Sequence, residues 1–191
     1  MKKIRLTSKK ELNIYMSPVR QQLLRQLSIS HGPMTPKMLS DKLQISPSSV
    51  QHHIRKLREL EVVELDHTKV INGIKASYYK AAQVTVQIGL DASDELDPQR
   101  EVLMENIISE AYKGFRRQRK KRSVTIGTGA LDDPVEWGDI KSGVVHLPDE
   151  KAKELLRFIA EFIDEYSSPQ PTSTPWEYAL LLYKAEDGSG D

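Results

Sequence analysis

There is no cysteine in these 191 residues. That absence excludes disulfide bonds and thiolate metal sites together. No apolar run approaches the roughly 20 residues needed to span a bilayer. The opening Met1-Lys-Lys-Ile-Arg-Leu6 has basic residues but no apolar stretch after them, so no secretory signal is expected. With 38% apolar and 29% charged residues, the composition is that of an ordinary globular protein. A cytoplasmic protein with no membrane partner is the expectation.

The formal net charge of +1 conceals a division. Residues 1–82 carry 15 Lys+Arg against 6 Asp+Glu, a net +9. Residues 83–191 carry 13 against 21, a net −8. A basic region suits a polyanionic partner, because neutralising phosphates releases condensed counterions. The acidic remainder would be repelled by the same surface. Two domains are expected, 1–82 and 83–191.

Helix-start signals crowd the basic half. Ser8-Lys-Lys-Glu11 has capping-box spacing, followed by Leu12, Tyr15 and Met16 at helical intervals. Ser17-Pro18 pairs an N-cap residue with proline at the first helical position, and Val19, Leu23, Leu24 and Leu27 supply an apolar stripe. His31-Gly32-Pro33 ends that helix. Thr35-Pro36 opens a short one containing Met38, Leu39 and Leu43, and Ser46-Pro47 opens another.

After Leu60 the pattern becomes extended. Val62 to Ile71 and Ile74 to Ala81 are rich in β-branched and aromatic residues around Asn72-Gly73, a type I′ hairpin signal. Pairing across that turn sets Ile71 by Ile74, Lys69 by Ala76 and Asp66 by Tyr79. Gln83 to Leu90 suits another strand, Asp91 to Asp97 an acidic connector, and Pro98 to Arg122 one long helix. Ser123 to Gly143 is Gly-rich and irregular. A strand over Gly143 to Leu147, an amphipathic helix over Pro148 to Tyr166 and a strand over Trp176 to Ala185 follow, and the tail after Glu186 is expected to be mobile. The fold class is therefore α+β: an N-terminal winged helix-turn-helix, then a long helix and a small strand-helix-strand domain.

The helix from Ser46 carries the chemistry. At about 100° per residue, Val50, Ile54 and Leu57 fall on one face, with Leu60 at its margin. Ser48, His52, Arg55 and Glu59 gather on the opposite face, flanked by Ser49, Gln51 and Lys56. In a helix-turn-helix the N-terminal part of the second helix enters the major groove. Ser48, Ser49, Gln51 and His52 are then placed for base edges, with Arg55 and Lys56 nearer the phosphates. Gln can bond adenine at two atoms and Arg guanine likewise. Thr35 and Ser46 at the helix starts complete the recognition-helix side of the DNA-binding set. Lys69, Asn72 and Lys75 near the hairpin tip are placed for minor-groove or backbone contacts.

Residues 17–80 resemble the ArsR-type winged helix-turn-helix regulators of bacteria. The resemblance runs from Ser17-Pro-Val-Arg-Gln-Gln-Leu-Leu24 through Ile45-Ser-Pro-Ser-Ser-Val-Gln-His-His-Ile-Arg-Lys-Leu57 to Ala76-Ser-Tyr-Tyr-Lys80. It covers about a third of the chain, and its Ser-x-Ser-x-Val-x-x-His-Ile/Leu-x-x-Leu pattern is fairly specific. It implies a homodimeric repressor on a palindromic operator of double-stranded DNA, held or released by an effector. Residues 83–191 are similar to the added C-terminal region of larger members. The chain departs from the arsenic, cadmium and lead sensors of that family, whose thiolates it lacks. His31, His67 and His146 are scattered, no His-x-x-His or Asp-x-His pair lies on the long helix, and His53 suits a packing boundary. No metal site and no cofactor are expected.

Catalysis has little support. Gly127-Thr-Gly129 is too short for a phosphate loop, and Asp132, Asp133 and Glu136 suit a solvated loop better than an acid–base pair. Lys113, Arg116, Arg117, Arg119, Lys120, Lys121 and Arg122 spread around a helix end, where cations complement the helix dipole; the alternative is a contact to flanking DNA. Trp137, Phe158, Phe162, Tyr166, Trp176 and Tyr178 concentrate aromatic surface in the acidic half. They suit a small core first; the sharper alternatives are a pocket for a small apolar effector or a dimer interface. The expected function is a non-enzymatic regulator that binds duplex DNA sequence-specifically. The competing reading is a winged-helix module for protein or RNA contacts.

Overall fold

Hydroxyl residues and prolines set where the helices begin. In the computed structural model, residues 2–88, 94–126, 138–170 and 172–185 are described, with the backbone alone for 122–126. The order is β1 (Lys2–Arg5), α1 (Lys9–Met16), α2 (Pro18–Ile29), α3 (Pro36–Leu43), α4 (Pro47–Glu59), β2 (Val63–Ile71), β3 (Ile74–Ala81), β4 (Val84–Gln87), α5 (Asp97–Ile126) and α6 (Asp149–Glu165). The chain divides into two compact units, Met1–Glu101 with Val145–Pro175, and Val102–Val144 with Trp176–Asp191.

Ser8 forms the full capping box on α1: the Glu11 amide donates to Ser8 Oγ (3.2 Å), and the Ser8 amide donates to the Glu11 carboxylate (2.9 Å). These bonds hold the Glu11 carboxyl below its ordinary range, the Thr7 backbone amide contributing most. Thr35 caps α3 by accepting from the Met38 amide, and Ser46 caps α4 by accepting from the Ser49 amide, each at 3.2 Å. Ser17 behaves differently. It starts α2 where expected, but its side chain makes no capping bond, because the same residue ends α1. The last carbonyls of α1 are met from α2 instead: Arg20 donates to Ile14 O and, at 2.9 Å, to Asn13 O, and Gln21 donates to Tyr15 O (2.6 Å).

The turn between α3 and α4 is fixed by Ser40 and Gln44. Gln44 sits in the left-handed region, φ 56°, and its amide donates to Ser40 O. The buried Ser40 hydroxyl donates to Ile45 O at 2.6 Å, so it is satisfied beneath the turn. Leu39, Val50, Ile54 and Leu57 then meet Leu12, Leu23 and Leu27 in one core, closed below by Leu60, Val62 and Val63. Leu60, placed at the margin by the helical wheel, is buried at 6% exposure.

β2 and β3 pair antiparallel around Asn72 (φ 50°) and Gly73 (φ 79°), a turn in which both central residues take positive φ. Ile71–Ile74 and Lys69–Ala76 are partners as expected. Asp66 does not face Tyr79: an irregularity between Leu65 and His67 pairs Leu65 with Tyr79 and His67 with Tyr78. One extra residue on β2 shifts the register there, as a bulge does. Met34 and Tyr79 exchange backbone hydrogen bonds at 2.8 Å each way, which ties the approach to α3 to the hairpin. β4 lies inside the expected strand 83–90 but pairs parallel with β1, Lys2 with Val84 through Arg5 with Gln87.

α5 runs further than expected at its C-terminal end, since residues 123–126 continue the helix. In the first unit, its start is held by Arg100, 3% exposed, which binds Asp94 (2.7 Å) and Asp97 (2.8 Å). In the second unit Glu177 lies so close to Gly114 of α5 that a Cβ there would be 2.9 Å from its carboxylate oxygen.

The two outer strands expected of the C-terminal part are not formed: residues 143–147 and 176–185 have no regular secondary structure. β-branched and aromatic side chains favour a strand, but the ladder needs a partner's backbone groups, and these segments have none among the described residues. Nor do the aromatic residues make a core. Phe158, Phe162 and Tyr166 of α6 are 63%, 54% and 65% exposed, and Trp176 and Tyr178 are exposed as well. Trp137, the Gly127–Gly129 pair, the acidic trio 132, 133 and 136, and the tail from residue 186 lie outside the described residues.

Candidate nucleic-acid interface

α4 presents the predicted polar face to solvent. Ser48, Gln51, His52 and Arg55 are exposed, and Ser49 and Lys56 are half-buried at its edge. Three consecutive contacts make its N-terminus rigid: the Ser46 cap, Pro47 at the first position, and a 3.0 Å hydroxyl contact between Ser46 and Ser48. A rigid start matters here, because base edges would be met by the first two turns. Thr35 and Ser46 thus belong to the caps, each with its oxygen accepting a backbone amide.

The far end of the helix is held by charge. Lys56 donates to Glu59 at 2.8 Å, and Lys10 of α1 approaches the same carboxylate at 3.6 Å. The Lys56 hydrogen bond, first, and the two lysine charges hold the Glu59 carboxyl below its ordinary range. His53 faces α2 and is half-buried, with Nδ1 sealed from solvent and without a hydrogen-bond partner among the described residues. Burial, then the Arg20 guanidinium and His52, push its pKa down, so it is neutral at physiological pH. His52 meets it edge-on, ring centroids 5.5 Å apart. The adjacent histidines therefore separate into one exposed donor or acceptor and one packing residue.

The hairpin forms the wing. Lys69, Asn72 and Lys75 are all exposed near its tip, with Val70, Ile71 and Ile74 exposed between them. Its base is stiffened by Asp66, which binds His67 at 2.7 Å and Lys80 at 3.0 Å, while His67 stacks on Tyr78 at 4.4 Å and 11°. The residues expected to meet DNA are thus carried on two separate supports, α4 and the wing tip, each independently braced.

Residues 15–66 match the family described as Helix-turn-helix domain. The matched segment resembles that domain. It runs from the end of α1 to the base of the wing and includes the whole of α4. A search of curated proteins finds no match to the chain. Among solved structures, an apo mutant form of Lactococcus lactis ZitR is 13% identical, with a TM-score of 0.32 over 82% of this chain and 87% of that one. The adhesin competence repressor AdcR of Streptococcus pyogenes is 13% identical, TM-score 0.33, over 81% and 83%. A possible transcriptional regulator from Methanosarcina mazei is 18% identical, TM-score 0.28, over 60% and 78%. Superpositions this loose leave the matched segment and its own geometry as the basis for function.

Three cations missed by the motif reading, Lys9, Lys10 and Arg20, also meet Lys56 beside α4. Lys9, Lys10, Arg20 and Lys56, with Asn13 and Ile14, line a cleft of about 460 Å³. The visible signal was Lys9-Lys10, but inside a capping box two lysines look like ordinary solvated helix residues. Among the described residues no group of His, Asp and Glu is arranged to hold a metal ion, and no helix is long and apolar enough to cross a membrane.

Proposed function

We propose that this protein is a non-catalytic transcriptional regulator that reads duplex DNA through residues 1–82. The observation that carries the reading is the exposed row Ser48, Gln51, His52 and Arg55 on a capped helix of the matched domain, beside a wing with Lys69 and Lys75 at its tip. Short hydroxyl side chains at the helix start allow close approach to a base-pair edge. Gln51 and His52 supply the directional hydrogen bonds that distinguish one edge from another, with Arg55 nearer the phosphates. Ser49 joins them at the base edges, Lys56, Thr35 and Ser46 lie towards the phosphates, and Lys69, Asn72 and Lys75 engage the backbone or minor groove.

The regulator acts as a homodimeric repressor on a palindromic operator, with residues 83–191 supplying the dimer contact. The apolar face of α6 supports this reading: Leu156, Phe158, Phe162 and Tyr166 are exposed in the single chain, and Phe162 and Tyr166 pack ring to ring at 4.9 Å. A symmetric partner fixes the spacing of two recognition helices, and an effector that prefers one spacing switches affinity. A small apolar molecule bound by residues 83–191 fits the exposed aromatic surface there.

Selection of duplexes from a random library at physiological salt tests the reading. The expected product is an enriched motif of two inverted half-sites. Enrichment of no sequence, or preference for RNA or for a protein partner, would replace operator reading with a winged-helix contact module.

A further inference from the structure

We propose that the cleft between α1 and α4 is a second DNA contact, which seats a backbone phosphate beside the recognition helix. The inference rests on the DNA-binding reading above and extends the interface to α1, outside the helix-turn-helix and its wing.

Three observations point there. Lys9, Lys10, Arg20 and Lys56 bring four positive groups to one open cleft, and Asn13 adds an amide. Arg20 is not a loose cation: it donates to Ile14 O and Asn13 O, so the same guanidinium that charges the cleft also pins the end of α1. Lys10 reaches Glu59, which lies on the polar face of α4, so the first turn of α1 runs beside the C-terminal half of the recognition helix. The base-reading residues occupy the N-terminal half. When that half enters a major groove, the phosphates bordering the groove pass the other half, where the cleft opens.

Glu59 is the opposing charge. It pairs with Lys56 at 2.8 Å and with Lys10 at 3.6 Å, at exposed positions where such pairs are weak. A phosphodiester brings its own negative charge to the same two ammonium groups, so the lysines can turn from carboxylate to phosphate at little cost. The carboxylate meanwhile repels the incoming phosphate by its charge. Neutralising it should tighten binding to every duplex.

The test compares the full chain with Lys9→Gln/Lys10→Gln, Glu59→Gln and Gln51→Ala in duplex titrations over a range of salt. Each phosphate contact contributes about −0.9 to the slope of log affinity against log salt. The double variant should flatten the slope by about 1 to 2 and weaken all duplexes by a common factor, on the order of tenfold at physiological salt. Glu59→Gln should strengthen all duplexes several-fold. An unchanged slope in the double variant, with the wild type still salt-dependent, overturns the inference. So does an unchanged slope when inorganic phosphate raises the thermal midpoint of the wild type but not of the double variant, which would make the cleft a small-anion site. A flattened slope in a protein without base preference, on which Gln51→Ala has no effect, upholds the phosphate contact and removes the operator reading. If the wild type binds no duplex, both fall.

Discussion

α4 and α6 are both amphipathic helices of the same compact unit, and they end in opposite states. α4 buries Val50, Ile54 and Leu57 against the helices before it and the base of the wing. α6, with 17 residues and a stronger apolar stripe, buries none of them. Its trailing loop does touch the rest of that unit: Ser167 and Ser168 each donate to the Gln83 side-chain oxygen at 3.2 Å, and His31 meets Ser173 O at 2.9 Å. Those are polar contacts at exposed positions, and they cover none of the aromatic face. The lesson is that an apolar stripe states a demand for burial without saying who meets it. For α4 the same chain does. For α6 the proposed second copy does.

Matched substitutions break that comparison most sharply. Val50→Asp puts an unpaired carboxylate where the exposure is 0%, which should cost more than about 3 kcal/mol and unfold the winged domain. Phe158→Asp, on a residue 63% exposed, should leave the thermal unfolding of a dilute single chain nearly unchanged while shifting sedimentation from dimer to monomer. If both substitutions unfold the protein equally, α6 is part of the intrachain core and the contrast fails.

Smaller effects sharpen the account of α4. Ser46→Ala removes the cap from the Ser49 amide and should cost about 1 kcal/mol in denaturant titration. The loss should be accompanied by weaker DNA binding, since the turns proposed to read bases are the ones that fray. The smallest effect concerns His53. Its folded pKa is depressed by burial, Arg20 and His52, so the unfolded chain takes up the proton more readily. Stability is therefore complete above the ordinary histidine value of about 6.5 and declines as pH falls below it. His53→Gln should flatten that part of the stability–pH curve, and an unchanged curve would place the titration elsewhere.

Much of the basic half was legible because its signals are local. Pro18, Pro36 and Pro47 begin their helices where the sequence put them, and Asn72-Gly73 takes the positive φ values that its chemistry favours. The bulge at Asp66 was not legible, since one residue of slack on β2 leaves the alternation on either side intact. The β1–β4 pair was half legible: residues 84–87 look extended, but their partner is at the other end of the domain. The basic cleft was invisible for a similar reason. It gathers Lys9, Arg20 and Lys56 from three helices, and no spacing along the chain announces that. In the acidic half the sequence pattern located α5 and α6, while the expected flanking strands lacked ladder partners.

Base-by-base preference in duplex binding, measured for the wild type and Gln51→Ala, tests the central claim most directly. The account predicts a defined half-site for the wild type, with preference relaxed at one base position in the variant by about 1–3 kcal/mol and retained at the others. A wild type that binds all duplexes alike, or a variant with an unaltered profile, would contradict the claim that this face of α4 reads DNA.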